Sequence, residues 1–343
     1  MATIKEVAAA ARVTPTTVTN VLRGRGRTSE ATRQRVLAAV AIKGYRPNLT
    51  ARALAERKAP TVALLLPCIT NPFYPEFTVQ AHLAARRRDR FLLICSTDRE
   101  ADGGEQFLDQ VAGSLSDGVL VANNPGLDIE QLKRVEARGT PVVITVWEDP
   151  ERPPGVACVS WDGRRAGRMA AAHLLELGHR RVGAIIGSPR DGIHQGRYAG
   201  FRDAFHAAHV RCPANAVRFC PDTFEAGQEA ARELLSTRPE LTAIFVSNDL
   251  PALGALNAAA ALDRKVPADL SVISITNIPQ AAQSRPALTT VAIPTAEMAV
   301  RGIELLLELQ KHRPPSPPMI CIPNLELIVR ASTSRPPARP WRP

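Results

Sequence analysis

No apolar run in the 343-residue chain approaches the ~18 residues that span a bilayer. Its opening stretch, MATIKEVAAAARVTP, is too polar and too broken for a secretory hydrophobic segment, which gives the expectation of a cytoplasmic protein with no membrane partner. The six cysteines (Cys68, Cys95, Cys158, Cys212, Cys220, Cys321) are scattered, with neither a CxxC pair nor the Cys/His spacing of a metal site. Buried or reduced thiols are therefore expected, and no metal. There is no GxGxxG turn, P-loop, HExxH or GxSxG elbow, and the polar residues at strand ends form no nucleophile-base pair that sequence can identify. The expectation is a protein that is not an enzyme, with no catalytic residues and no cofactor.

Acidic residues are scarce at the front of the chain. Residues 1–60 hold twelve Lys and Arg against three acids, Glu6, Glu30 and Glu56, whereas the remainder holds 31 against 30. Nine of the ten surplus positive charges therefore sit on the first sixth, the asymmetry expected where phosphates must be neutralised. The same stretch has helical texture. Ile4, Val7, Ala8 and Ala11 fall at i, i+3, i+4 and i+7. Thr14 can cap a second helix whose first position is Pro15, where the missing N–H costs nothing; Val18, Val21 and Leu22 face inward, leaving Thr16, Thr17, Thr19, Asn20 and Arg23 outside. Ser29 can cap a third helix that buries Val36, Leu37 and Val40, turns Arg33 and Arg35 to solvent and ends at Gly44. Two helices on so short a turn form a helix-turn-helix, whose second helix lies against base edges in the major groove. A three-helix bundle with a solvated polar face is the plainer alternative, and the charge asymmetry weighs against it.

From Thr61 the texture changes. TVALLLP, RFLLICS, GVLVA and TPVVITV read as buried parallel strands separated by amphipathic helices, and a second series runs through RVGAIIG, AVRFC, AIFVS and LSVISI. Two such βα series imply two doubly wound sheets. Ligands of open α/β sheets bind beyond the carboxyl ends of the strands, which places a binding site in a cleft between the two.

TVTNVL and GYRPNLTARAL at the front, followed in order by NPF (Asn71 to Phe73), LGHRRVGAIIG (Leu177 to Gly187), RYAGF (Arg197 to Phe201), SNDLPALGAL (Ser247 to Leu256) and PALTTV (Pro286 to Val291), resemble the LacI (lactose repressor)/GalR family of bacterial transcription regulators over nearly the whole chain. His179 in LGHRR matches a structural position of that family rather than a catalytic one. The resemblance implies a multidomain chain: an all-α helix-turn-helix headpiece and an α/β periplasmic-binding-protein-like core of two doubly wound parallel-sheet subdomains. The expected limits are residues 1–48 for the headpiece, 49–60 for a hinge helix and linker, 61–160 plus 292–320 for the first core subdomain, 161–291 plus 321–330 for the second, and 331–343 for a disordered tail rich in Pro and Arg. It implies a homodimer on a double-stranded, pseudo-palindromic DNA operator, at the nucleoid, probed by Thr3, Thr14, Thr16, Thr17, Thr19, Asn20, Arg23, Ser29, Thr32 and, in the hinge, Asn48, Ala51, Arg52 and Leu54. Thr16, Thr17 and Asn20 are the base-reading candidates, and Thr19, Ser29, Thr32 and Asn48 the phosphate contacts. A hinge helix of seven or eight residues is too short to stand alone in water; the resemblance supplies its partners, the second subunit and the minor groove, with Leu54 as a wedge. An ordinary linker is the alternative.

The resemblance also implies a small-molecule effector in the cleft, touching Phe73, Tyr74, Val146, Arg197, Asn248, Asp249 and Thr276. Here the chain departs from the family. Val146 stands where an acid is common, and Ser274-Ile275-Thr276-Asn277 replaces the usual GFDD. Two carboxylates that accept sugar hydroxyls are thus missing, Arg197 is expected to face the cleft with little negative charge nearby, and an anionic effector follows as the expectation. A cleft with no effector, and a solute-binding protein of the same core fold, are the alternatives. In the headpiece, Arg12 occupies a turn position where the family prefers Gly and is expected at positive φ. A dimer making ~8 phosphate contacts should bind DNA with a log–log salt slope of roughly −7, which titration of a bound duplex against rising KCl measures directly.

Overall fold

The computed structural model describes residues 2–22, 24, 26–45, 60–97, 108–122, 128–187, 194–210, 213–312 and 314–338, and the chain divides into two units, Met1–Pro60 and Thr61–Pro343. In the first unit, local capping chemistry sets the helix limits. Helix α1 (Ile4–Ala11) starts with a capping box in which Thr3 Oγ1 accepts from the Glu6 N–H and Glu6 accepts from the Thr3 N–H. It stops at Arg12, held at φ 54° and ψ 51° with its N–H on the carbonyls of Ala8 and Ala9, so a side-chain-bearing residue does occupy the left-handed region expected there. Helix α2 (Pro15–Leu22) begins with the Thr17 N–H on Thr14 Oγ1, and α3 (Glu30–Lys43) with the Thr32 N–H on Ser29 Oγ, ending at Gly44 at φ 58°.

These helices enclose a small core of Val7, Ala8, Ala11, Val18, Val21, Val36 and Ala39. Leu37, expected inside, is 43% exposed. One residue turns a helix by about 100°, so Ala39 and Val40, three and four positions on, share the inward face of Val36 while Leu37 does not. Arg23 and the hinge candidates Asn48, Ala51, Arg52 and Leu54 lie outside the described residues.

The second unit is built on two six-stranded sheets. The first contains β1 (Thr61–Leu66), β2 (Phe91–Ser96), β3 (Val119–Ala122), β4 (Val142–Trp147), β5 (Ala157–Ser160) and β11 (Met319–Cys321), in the spatial order β11-β5-β4-β3-β1-β2 and all parallel. The second contains β6 (Val182–Gly187), β7 (Val217–Cys220), β8 (Ala243–Val246), β9 (Ser271–Thr276), β10 (Thr289–Ala292) and β12 (Glu326–Ile328), in the order β12-β10-β9-β8-β6-β7 with β12 antiparallel. The central strands are wholly buried because helices cover both faces: α4 (Phe73–Arg86) and α5 (Ile129–Ala137) on the first sheet, and α6 (Gly163–Glu176), α7 (Gln195–Ala207), α8 (Phe224–Thr237), α9 (Asp249–Ala261) and α10 (Pro279–Gln283) with the second. The chain passes between the sheets after Ser160, again after Ala292 so that α11 (Thr295–Leu309) packs against α4 and β4, and finally after Cys321. No helix among the described residues is long and apolar enough to cross a membrane.

Two packing details position the cleft. Phe201 of α7 stacks on Phe245 of β8 with ring centroids 4.3 Å apart and planes 8° from parallel. Helices α6 and α7 touch backbone to backbone: a Cβ on Gly167 would lie 1.8 Å from the Arg197 carbonyl oxygen, and one on Gly200 1.8 Å from that of Arg164. Both positions therefore require glycine, and the pair fixes how far α7, which carries Arg197, stands from α6.

The expectation of a disordered tail fails for residues 331–338. The Val272 N–H donates to the Ser332 carbonyl (2.8 Å), the Thr289 N–H to Ser332 Oγ (2.8 Å), and Ser332 Oγ to the Val272 carbonyl (2.6 Å). Ser334 bonds Ser271 through its N–H, while its carbonyl meets His179 Nε2 at 2.8 Å; burial pushes the His179 pKa down, and its other ring nitrogen meets Thr242 Oγ1. A Ser/Thr/Pro segment cannot build an apolar core, but its backbone and hydroxyls satisfy the ends of β9 and β10, which composition does not reveal. Truncation after Arg330 should remove several such bonds at about 1 kcal/mol each and lower Tm by roughly 5 °C or more; a melting curve identical to the full chain's would show the segment to be dispensable.

Candidate functional site

The headpiece presents a face of small polar side chains on α2. The Thr14 and Thr17 hydroxyls bond each other at 2.9 Å, and Thr19 Oγ1 donates to the Pro15 carbonyl four residues back. Ser29 Oγ donates to Thr32 Oγ1, which also accepts from Arg35. Most of the predicted hydroxyls are thus already engaged in caps and helix back-bonds. Thr16, exposed, and Asn20, half-buried, enter no side-chain hydrogen bond among the described residues. Asn can pair with an adenine edge in two places, and a Thr methyl can pack on a thymine methyl.

The second site lies where the two sheets of the core meet. Arg197, on the first turn of α7, is 3% exposed. Its guanidinium is gripped by Glu148: Nε donates to Oε2 at 3.1 Å and Nη2 to Oε1 at 2.5 Å. Nη1 donates to the Ser247 carbonyl at 2.6 Å, and Cζ stands 5.1 Å from the ring centroid of Trp161, a fully buried residue at the first crossing between the sheets. Glu148 follows β4 of the first sheet and Arg197 belongs to the second, so one bidentate ion pair joins the two halves of the core.

Beside this pair, His194 Nδ1 meets Ser247 Oγ at 3.1 Å and Nε2 lies 3.5 Å from Asp222 Oδ2, which Asn248 Nδ2 also approaches at 3.4 Å. Complete burial, with the Arg197 charge behind it, holds the His194 pKa well below 6.5 and keeps the ring neutral. Tyr74 completes the group from the first sheet's side. Burial pushes its phenol pKa far up, and the Asp222 charge adds to the effect.

The family description "Bacterial regulatory proteins, lacI family" matches residues 3–48, and "Periplasmic binding protein-like domain" matches residues 171–333. The HTH-type transcriptional regulator DegA of Bacillus subtilis (strain 168) is 34% identical over 336 residues, which cover 97% of this chain and 98% of DegA. The chain belongs to the LacI family. Among solved structures, the transcriptional regulator CelR in complex with cellobiose is 29% identical at a TM-score of 0.70, over 97% of this chain and 100% of that one. The lac repressor dimer bound to operator and the anti-inducer ONPF, 21% identical, shares the fold at a TM-score of 0.84 over 97% of this chain and 99% of that one. The chain is therefore a DNA-binding regulator of transcription with a periplasmic-binding-protein-like core, and the relatives named here are transcription regulators.

In this LacI-family regulator the seven cleft residues expected from sequence divide. Tyr74, Arg197 and Asn248 meet around the cluster just described. Phe73 packs behind Tyr74 in an edge contact at 5.2 Å and is 6% exposed. The other three are engaged within the fold. Val146 sits in the core at 2% exposure. Asp249 is fully buried and accepts from Ser274 (2.5 Å), Thr290 (2.7 Å) and the Ile278 N–H (2.8 Å); burial raises its pKa while these donors pull it back. Thr276, 4% exposed, bonds the Ile275 carbonyl next to it. Asn248 also serves as the N-cap of α9, with Oδ1 accepting from the Leu250 N–H.

The expected shortage of negative charge around Arg197 is overturned by Glu148. Val146 adopts φ 62°, an uncommon conformation for a β-branched residue, and the β4–β5 register slips between Ile144 and Trp147. The bulge turns Val146 into the core and brings the acid two positions later to the arginine. Sequence reading missed Glu148, His194, Asp222 and Trp161; only the presence of an acid near the end of β4 could have pointed to any of them.

Replacing Glu148 by Ala leaves a buried guanidinium without its counter-ion and should cost about 3 kcal/mol. Adding Arg197→Met should recover part of that loss, because the uncompensated charge goes with it. Urea denaturation of the two single variants and the double variant measures the coupling; simple additivity would contradict the pairing.

Proposed function

We propose that two copies of this chain act together on a pseudo-palindromic operator, and that a small polyhydroxylated effector, held at the Arg197–Glu148 pair, sets their affinity for it. The observation that carries the reading is that ion pair: it joins two subdomains, so a ligand that engages either side chain changes the relation of the sheets. Glu148 and Asp222 offer carboxylate acceptors, and Arg197 and Asn248 offer donors, a set matched to vicinal hydroxyls. An anion would compete with Glu148 for Arg197 and meet Asp222 besides. CelR in its cellobiose complex and the ribose operon repressor of Halalkalibacterium halodurans, 30% identical over 335 residues, support a saccharide-like effector.

Dimerisation is supported by an apolar stripe on the first core subdomain. Val79 and Leu83 of α4 are 54% and 44% exposed, and Phe91 and Ile94 of the edge strand β2 are 43% and 51% exposed. An open sheet edge flanked by exposed aliphatic side chains suits a second copy of itself. In each headpiece Thr16, Thr17 and Asn20 read bases while Thr3, Thr14, Thr19, Ser29 and Thr32 approach phosphate; Arg23, Asn48, Ala51, Arg52 and Leu54 take the corresponding contacts of the α2 end and hinge. Effector and operator then alter each other's affinity by one common factor, about 5- to 150-fold.

Sequencing of duplexes selected from random DNA, repeated with neutral saccharides and with carboxylated or phosphorylated metabolites, tests the whole. The expected result is a two-fold-related motif whose occupancy responds to a neutral polyol, with the response lost in Arg197→Ala. Response only to anions, or a motif without two-fold symmetry, would overturn it.

A further inference from the structure

The core has its own positive end, outside both sites described above. Residues 61–343 are almost neutral, with a surplus of one positive charge. At one end of the first sheet, however, six cations (Arg86, Arg87, Arg88, Arg90, Arg301 and Lys311) face four acids (Asp89, Asp117, Glu304 and Glu308). This end alone exceeds the surplus of the whole core.

Hydrogen bonds fix the location. Thr61 opens β1 and pairs in register with Phe91; the Asp117 N–H donates to the Thr61 carbonyl, Arg90 pairs with Asp117 at 3.3 Å and with Gln310, and Gln310 returns to the Asp117 carbonyl. Two of the acids are occupied: Asp117 by Arg90, and Glu304 by both Arg88 (2.5 Å) and Arg301 (2.8 Å). Arg86 and Arg87, on the last turn of α4, are exposed and have no carboxylate within ion-pair distance among the described residues. Lys311, just past α11, is exposed as well.

Thr61 is also where the chain arriving from the DNA-binding unit enters the core, directly after Arg57 and Lys58 in sequence. Arg86 and Arg87 continue the helical stripe of Val79 and Leu83, the face assigned above to the second copy. Two subunits joined along that stripe bring four arginines together at the end from which both DNA-binding units are tethered. Four guanidinium groups without counter-ions repel one another, and a duplex backbone is the polyanion that the DNA-binding units of the same dimer hold.

We infer that Arg86 and Arg87 form a phosphate-contacting site on the core itself, which grips the backbone of the operator between the two half-sites. The inference rests on the dimeric reading and adds a contact to it. It follows that part of the affinity, and part of its salt dependence, comes from the core rather than from the headpiece, and that this part carries no base preference.

The test uses the full chain and the duplex that the wild-type protein selects from random DNA. Arg86→Gln/Arg87→Gln is compared with wild type by fluorescence anisotropy over roughly 50 to 200 mM KCl. Each lost phosphate contact removes about 0.9 from the log–log slope, so four arginines in a dimer lower it by up to about 3.6, with the selected motif unchanged. An unchanged slope with intact binding overturns the inference. So does a variant that becomes monomeric in analytical ultracentrifugation without DNA, which would assign both arginines to the contact between copies. Lys133→Gln, a change on the exposed face of α5, serves as the surface-charge control, and an equal fall in slope there also counts against a specific site. Wild-type protein without a preferred duplex would sink the dimeric reading and this inference together, and is recognisable because neither protein then gives a sequence-dependent slope.

Discussion

The buried pair of Arg197 and Glu148 is the interaction on which the core's arrangement depends. Removing two charges from water costs several kcal/mol per ion, and attraction offsets that cost only where geometry is good and the remaining donors are satisfied. Here the fork of the guanidinium meets both carboxylate oxygens, its third nitrogen finds the Ser247 carbonyl, and its face lies over Trp161. Each partner is delivered by a separate device: the positive-φ bulge at Val146 for the acid, and the glycine contact between α6 and α7 for the base. The pair therefore ties the placement of one sheet to that of the other.

The headpiece works on a different scale. Its core consists mainly of valine and alanine, too small to bury much surface, and its helix limits are set by caps that each contribute about 1 kcal/mol. Those caps use several of the same hydroxyls that resemblance assigns to DNA. A threonine whose oxygen accepts from a helix-terminal N–H holds a fixed rotamer, so a phosphate contact donated by its O–H is pre-organised rather than created on binding. Thr16 and Asn20 enter no side-chain hydrogen bond among the described residues, which leaves their polar groups available to a ligand.

Most secondary elements were legible because their signals are local. Thr14-Pro15, Ser29 and Gly44 mark helix ends by their own chemistry, and continuous apolar runs such as AIFVS and RVGAIIG can be buried strands wherever they are placed. Leu37 was misjudged because a fourteen-residue helix with three candidate apolar positions leaves the inward direction to the helices packed against it. Residues 331–338 depart from the expected disorder because Ser332 and Ser334 bond to β9 and β10, and a segment of Ser, Thr and Pro gives no sign of which backbone it will meet.

The cleft shows the division most clearly. Sequence alone determined that this is a basic DNA-binding unit joined to a two-sheet core, since charge asymmetry, βα periodicity and the order of motifs along the chain survive any detail of packing. The motifs also put Arg197 near the start of a helix and Asn248 just past a strand, where the structure has them. Which acid answers Arg197 was decided by tertiary structure. A single residue at positive φ shifts a strand register, exchanges Val146 for Glu148 and reverses the local charge, and no side-chain pattern announces a backbone conformation that a β-branched residue adopts only because the surrounding fold holds it there.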